Sequence, residues 1–174
     1  ACRRFQLMGR DLGVIASTDG DTRVASTWIA ATLAEIEAGA DAVGGRIITN
    51  NRERNKLDKS TRLYFLRFIR YGYLTSQLEA AIDPDFDLLA RHHHHYGASF
   101  AVTAQMYNRV GGLAPLPSSE DVALYNALMR VDARFRHSPA VRVVTSARAL
   151  GRAKAGLADR LSELKIISKQ QQCP

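Results

Sequence analysis

Cysteine is scarce and long apolar runs are lacking, and each shortage removes a class of protein. The two cysteines, Cys2 and Cys173, lie near opposite ends of a 174-residue chain, so no disulfide framework is implied and a reducing compartment is favoured. No stretch approaches the roughly eighteen consecutive apolar residues that a membrane-spanning helix needs. The opening Ala1-Cys2-Arg3-Arg4-Phe5 holds no signal-peptide core. A cytoplasmic setting is expected, with the inner face of a membrane as a second place for so basic a chain. The arginines are spread, and the densest groups, Arg52 with Arg54 and Arg148 with Arg152, have no aromatic between them. The interleaving of cations and rings that nucleic-acid binders use is therefore missing, and no nucleic-acid partner is expected. There is no G-x-x-x-x-G-K loop either, which argues against a phosphotransferase or nucleotidyltransferase. No internal repeat is visible.

What is present describes one globular domain. Hydrophobic residues at 46% and charged residues at 24% exclude a disordered tail and leave enough apolar surface for a core. The net charge of +7 suits an anionic ligand, read here as a phosphorylated substrate or a membrane surface. Residues 1–165 form the expected domain and 166–174 a frayed tail.

The stretch that organises the chain is Ser17-Thr18-Asp19-Gly20-Asp21-Thr22. It follows the apolar run Leu12-Gly13-Val14-Ile15-Ala16, which reads as a short buried strand of a parallel sheet. Ligands of open α/β sheets bind at the carboxyl ends of strands, so Asp19 and Asp21 are expected to project into a site. Gly20 lets the backbone turn tightly between them. Two hard oxygen donors suit Mg²⁺ or Mn²⁺, which are held by one or two carboxylates while substrate phosphates complete the shell. The competing reading is an Asx-rich turn, since Asp and Gly are common turn formers.

Next, Trp28, Ile29, Thr32, Leu33 and Ile36 recur at helical spacing after a cap at Ser26 or its neighbour, and Gly39 stands where a C-terminal glycine belongs. Asp41 to Ile48 reads as a second strand, and its paired Gly44 and Gly45 imply close backbone approach. Strand, helix, strand makes a parallel crossover. From Ser60 to Ile82, Leu63, Leu66, Ile69, Tyr73, Leu74, Leu78 and Ile82 mark a long helix that Pro84 ends. The run His92-His93-His94-His95 is read either as a solvated or hydrogen-bonded loop or as presenting one or two imidazoles to a substrate. Consecutive residues rarely all converge on one zinc.

A third strand is expected at Gly97–Val102, then a short helix stopping at Gly111-Gly112. Ser118 and Asp121 have the spacing of a capping box, with Val122, Tyr125, Leu128 and Met129 as the buried face. First-turn carboxylates such as Glu120 and Asp121 are also stabilised by the helix dipole alone. Two further strands are read at 134–137 and 141–145, separated where Ser138-Pro139 follows His137. A closing helix runs from Gly156 through Leu157, Leu161 and Leu164.

Taken in order, a strand ending in Asp-x-Asp, a crossover, a long helix, Gly-Ala-Ser, Val-Gly-Gly-Leu, a Glu-Asp pair opening a helix and a late histidine resemble the family 2 glycosyltransferases of the GT-A fold. The resemblance runs from about Gly13 to about Leu161 and is carried chiefly by GASFAVTAQMYNRVGGLAPLPSSEDVALYNALMR. Ala127 and Asp132 depart from it, standing where the family often has arginine and glycine. The implied fold is α/β, a partial, Rossmann-like GT-A three-layer fold with a mainly parallel mixed sheet flanked by helices.

The resemblance implies that Asp19 and Asp21 hold a divalent cation, Mn²⁺ or Mg²⁺, on the diphosphate of a nucleotide-sugar donor, with His137 as a further metal ligand. It implies that Asp121 deprotonates the acceptor hydroxyl in an inverting transfer, beside Glu120, and that Gly97, Ala98 and Ser99 line the sugar pocket. His95 is placed with the substrate-binding residues. The donor's base is bound in this family by strand-helix units ahead of the Asp-x-Asp strand, so the chain reads as a C-terminal portion that on its own binds donor nucleotide weakly. An exposed sheet edge left there could pair chains into a homo-oligomer. The alternative is a non-catalytic basic α/β module that binds an anionic polymer or membrane surface.

Overall fold

The computed structural model describes residues 2–9, 13–82, 86–87, 91–148, 151 and 156–171. Leu12 of the expected first strand, the helix-ending Pro84, Arg152, Cys173 and the end of the expected tail lie outside the described residues. The architecture is α/β, a five-stranded mixed sheet flanked by helices.

The chain opens with α1 (Cys2–Leu7), then β1 (Val14–Ser17), a two-residue β2 (Arg23–Val24), α2 (Trp28–Glu37) and β3 (Ala42–Thr49). After α3 (Asn51–Arg54) and α4 (Lys59–Ile82) come β4 (Phe100–Thr103), α5 (Ala104–Arg109), α6 (Glu120–Met129), β5 (Phe135–Thr145) and α7 (Leu157–Gln170). The strand order is β1-β4-β3-β5-β2. Only β3 and β5 pair in parallel, while β1 with β4, β4 with β3 and β5 with β2 are antiparallel. The expectation of a mainly parallel sheet is corrected here. The crossover from β1 to β3 does leave those strands running the same way, but β4 enters between them in the opposite direction.

Alternation along the central strands splits the core into two faces. Ala42, Phe100 and Val102 point to α5 and α6, where they pack with Met106, Leu124, Leu128 and Phe135. Their neighbours Val43 and Ala101 point the other way and pack with Trp28, Ala40, Val141 and Val143 under α2. A satellite cluster of Phe65, Leu161 and Leu164 joins α4 to α7. Each fully buried side chain of this size contributes about 1.5–3 kcal/mol relative to exposure.

Several local expectations change. The third strand starts at Phe100, because Gly97–Ser99 forms a 3₁₀ turn. The two late strands are one, β5, whose register with β3 jumps between Gly45 and Arg46, so that Ser138-Pro139 sits in a bulge rather than at a strand end. The α4 face is also reassigned. Thr61, Phe65 and Ser76 are buried, with Phe68 and Ile69 packed beside α7, whereas Leu63, Leu66, Tyr73, Leu74, Leu78 and Ile82 are exposed. On α2, Trp28 and Thr32 are buried but Ile29 and Leu33 are exposed. Helix α7 continues through residues expected in the tail, and Ser168 is buried against Ser60.

The paired glycines behave as read. A Cβ on Gly45 would meet Val141 Cγ1 at 2.8 Å and Ser99 Cβ at 2.9 Å, so the 3₁₀ turn packs directly on β3. Asp132, where the resembled family often has glycine, adopts a φ of +53°, the region in which glycine carries least strain.

Candidate functional site

The five residues after β1 carry the chain from one edge of the sheet to the other, since β1 and β2 are the two edge strands. That crossing holds the Asp-Gly-Asp turn. The amide of Thr22 donates to the carbonyl of Asp19 at 3.0 Å and closes the turn. Hydroxyls anchor it on both sides. Thr18 Oγ1 donates to the carbonyl of Ala98 at 2.9 Å, and Thr22 Oγ1 donates to Thr145 Oγ1 at 2.8 Å. The Asx-rich turn of the competing reading is thus formed, with small polar residues fixing its ends.

Asp19 borders two cavities of about 320 Å³ each. The first is lined by Ser17, Thr18, Gly97, Glu120 and Asp121 over an apolar floor of Ile15, Phe100, Val102 and Leu124. The second is lined by Asp21, Thr145, Ser146 and Arg148 and by the start of α7.

In the first cavity the structure brings together Asp19, Glu120, Asp121 and Gly97. Helix α6 begins at Glu120 after Ser119, whose φ is +60° and whose side chain makes no capping bond. The expected capping box does not form. The carboxylate of Asp121 accepts instead from the amide of Gly97 through Oδ2 at 2.6 Å and from the amide of Val122 through Oδ1 at 2.8 Å. A Cβ built on Gly97 would lie 3.4 Å from Asp121 Oδ2 and 3.5 Å from Asp19 Oδ1. The two carboxylates therefore flank one glycine.

Partial burial of the Asp19 carboxyl raises its pKa above the usual carboxylate value, and the negative charges of Asp21, Asp121 and Glu120 push it further up. A cation is the chemical complement of such a set. Among the described residues, however, no three His, Cys, Asp or Glu side chains converge as a ligand group. Asp19 with Asp21 fits a divalent ion only as one or two carboxylates fit Mg²⁺ or Mn²⁺, with substrate oxygens supplying the rest.

His137 belongs to another cluster. Its amide donates to Asp87 Oδ2 at 3.0 Å and its Nδ1 lies 2.9 Å from the same oxygen, in a buried environment. Arg136 pairs with the other oxygen of Asp87 and lies 3.4 Å from Glu35 on α2. The sequence gives Asp87 no visible role, because its partners Arg136 and His137 lie some fifty residues further along the chain.

The four consecutive histidines form a hydrogen-bonded stretch in which His92 is buried and His93, His94 and His95 are half-buried. His92 is buried with Nε2 3.2 Å from the carbonyl of Ser138, and His94 Nδ1 accepts from the amide of Ile47 at 3.1 Å. Burial depresses their pKa values to about 3 for His92 and about 2 for His94, so both are neutral spacers between β3 and β5. His95 stacks on Tyr125 of α6 with ring centroids 3.9 Å apart and planes 7° apart. Burial lowers its pKa to about 4 while the charge of Asp121 opposes the shift, which places a neutral imidazole near the first cavity.

Of the Gly-Ala-Ser turn, Gly97 lines the cavity. Ala98 and Ser99 are buried behind it, Ala98 holding Thr18 and Ser99 Oγ accepting from Trp28 Nε1 at 2.9 Å. They support the Asp turn from behind. Reasoning on sequence missed Arg148, whose Nη2 lies 2.8 Å from Asp21 Oδ2. Its segment is held by Glu53 of α3, which accepts from Ser146 Oγ at 2.8 Å and from the amide of Ala147 at 2.7 Å.

No family model matches the chain, and no curated protein matches it.

Proposed function

We propose that this chain is a glycosyltransferase of the GT-A kind, or the metal- and acceptor-side portion of one, transferring a sugar from a nucleotide-diphosphate sugar to an acceptor hydroxyl. The single observation that carries the reading is the placement of Asp19 and Asp121 on either side of Gly97 in one cavity. Asp19 and Asp21 would hold a divalent cation, which supplies Lewis-acid stabilisation to a diphosphate leaving group when bound. Asp121 has the other role, taking the acceptor proton as the hydroxyl attacks the anomeric carbon, with its carboxylate oriented by two backbone amides. Glu120, exposed on the same rim, is placed to bind acceptor hydroxyls. The apolar floor excludes water beneath the reacting groups.

The order of motifs along the chain, similar to that of family 2 glycosyltransferases, supports this reading independently of the geometry. The test is release of nucleoside diphosphate from a panel of nucleotide-sugars with Mn²⁺. Metal-dependent release that Asp121→Asn lowers at least a hundredfold supports the reading, about the scale of lost acid-base catalysis. Release unaffected by that change overturns it.

One observation favours a second reading, a module docking on an anionic membrane surface. Leu63, Leu66, Leu74, Leu78 and Ile82 make an exposed apolar stripe on α4, and the helical spacing sets Arg67 and Arg70 within it. No helix among the described residues is long and apolar enough to cross a membrane, so the stripe would lie on the surface. Sedimentation with phosphatidylglycerol vesicles, lost in a Leu74→Glu, Leu78→Glu variant, supports this reading; equal sedimentation of that variant overturns it.

A further inference from the structure

The second cavity contains a relationship that the proposed reaction does not yet use. Asp21 faces a guanidinium, while Asp19, two residues away, faces carboxylates. We propose that Arg148 is a resident counter-ion that yields Asp21 to a divalent cation and then binds the diphosphate that the cation carries. The proposal rests on the glycosyltransferase reading for the identity of that diphosphate.

Three features carry it. The ion pair is open to solvent on both sides, with side-chain exposures of 43% for Arg148 and 30% for Asp21, so it can part without leaving a buried charge alone. The backbone leading into Arg148 is held by hydrogen bonds. Glu53 holds Ser146 and Ala147, Thr22 holds Thr145, and the amide of Arg148 donates to Ser146 Oγ at 3.3 Å. The guanidinium is thus the part free to change partner, over a cavity of about 320 Å³ that also presents Thr145 and Ser146.

The chemistry of the two cations differs in the required direction. A guanidinium and a divalent ion compete for the same carboxylate, and the smaller, doubly charged ion displaces the arginine from Asp21. The planar fork of arginine matches phosphate oxygens in a bidentate manner, so the released side chain has a better partner once a diphosphate is present. Arg148 would then resist cation binding by itself and favour cation binding together with diphosphate. This coupling selects the loaded donor over the bare ion.

Calorimetric titration of the chain with Mn²⁺ alone, and with inorganic pyrophosphate at saturating Mn²⁺, tests this with Arg148→Met, Arg148→Lys and Asp19→Asn. Removing the charge should tighten binding of Mn²⁺ alone by about two- to fivefold, the scale of a partly exposed ion pair. It should weaken pyrophosphate by about tenfold or more, as expected for losing a charged hydrogen-bond donor. Arg148→Lys should keep Mn²⁺ binding near the parent value and recover only part of the pyrophosphate affinity. A purely structural role would not move the two ligands in opposite directions. Unchanged or weaker Mn²⁺ binding in Arg148→Met overturns the proposal, as does unchanged pyrophosphate binding. If Asp19→Asn abolishes Mn²⁺ binding while Arg148→Met leaves it unchanged, this inference alone fails. If neither the parent chain nor any variant binds Mn²⁺, the metal-site reading fails and takes the inference with it.

Discussion

The amide of Gly97 donates to Oδ2 of Asp121 at 2.6 Å, and this bond joins the turn before β4 to the first turn of α6. It also fixes the carboxylate across from Asp19. A methyl group at position 97 would stand in ordinary contact with both acidic side chains, 3.4 Å from one oxygen and 3.5 Å from the other. Gly97→Ala is therefore expected to fold with a melting temperature close to the parent's. It should still lower transfer by about a hundredfold, the effect of small displacements at a reacting centre. Thermal melts and initial rates measured side by side check this.

Asp121→Asn retains an oxygen for the Gly97 amide and removes the proposed base. The fold should survive, and turnover should fall by about 10²–10⁴. The same change removes one of the negative charges that raise Asp19, so Mn²⁺ binding should persist with a lower pH midpoint. Calorimetry across pH checks the second half.

Protons compete with metal at Asp19. Its raised pKa means that the carboxylate charges at a higher pH than a free aspartate, through burial first and the neighbouring acids next. Mn²⁺ affinity should therefore rise with pH through that raised midpoint. Replacing Glu120 by the amide should shift the midpoint downward, as read from a series of titrations. For folding the sign is opposite to that of a stabilised carboxylate. The raised Asp19 favours the folded state while protonated, and this contribution is lost as pH rises above the unfolded value.

Asp87 supplies the contrasting case. Burial alone would raise its pKa, but the hydrogen bonds from His137 and Arg136 outweigh burial and hold it below the ordinary value. Its contribution to stability is present above the unfolded pKa and is lost as pH falls through the lower folded one. Asp87→Ala removes the buried partner shared by Arg136 and His137 and leaves Arg136 only Glu35, and urea denaturation at neutral pH should show a loss of about 3–5 kcal/mol.

The sequence was legible where local chemistry and final contact coincide. Gly111 and Gly112 end α5 with φ of +80° and +77°, and the adjacent glycines of β3 lie under the turn that packs on them. It was misleading where a partner from far along the chain decides the outcome. The apolar spacing of α4 marks the helix but not its buried face, because α7 covers Phe65 and its neighbours while Leu63, Leu66, Leu74 and Leu78 stay exposed. Ser138-Pro139 was read as a strand end, yet the parallel register of β3 continues beyond it through a bulge. The pairing of Asp121 with Gly97 spans 24 residues and that of Asp21 with Arg148 spans far more. Neither relation has a periodic signature, so only the fold displays them.

The central claim is that Asp19 carries a cation beside the base Asp121. Electron paramagnetic resonance of free Mn²⁺ during titration measures it directly on the parent chain, Asp19→Asn and Asp121→Asn. The account predicts that the parent and Asp121→Asn take up the ion and that Asp19→Asn does not. Equal uptake by Asp19→Asn and the parent would contradict it.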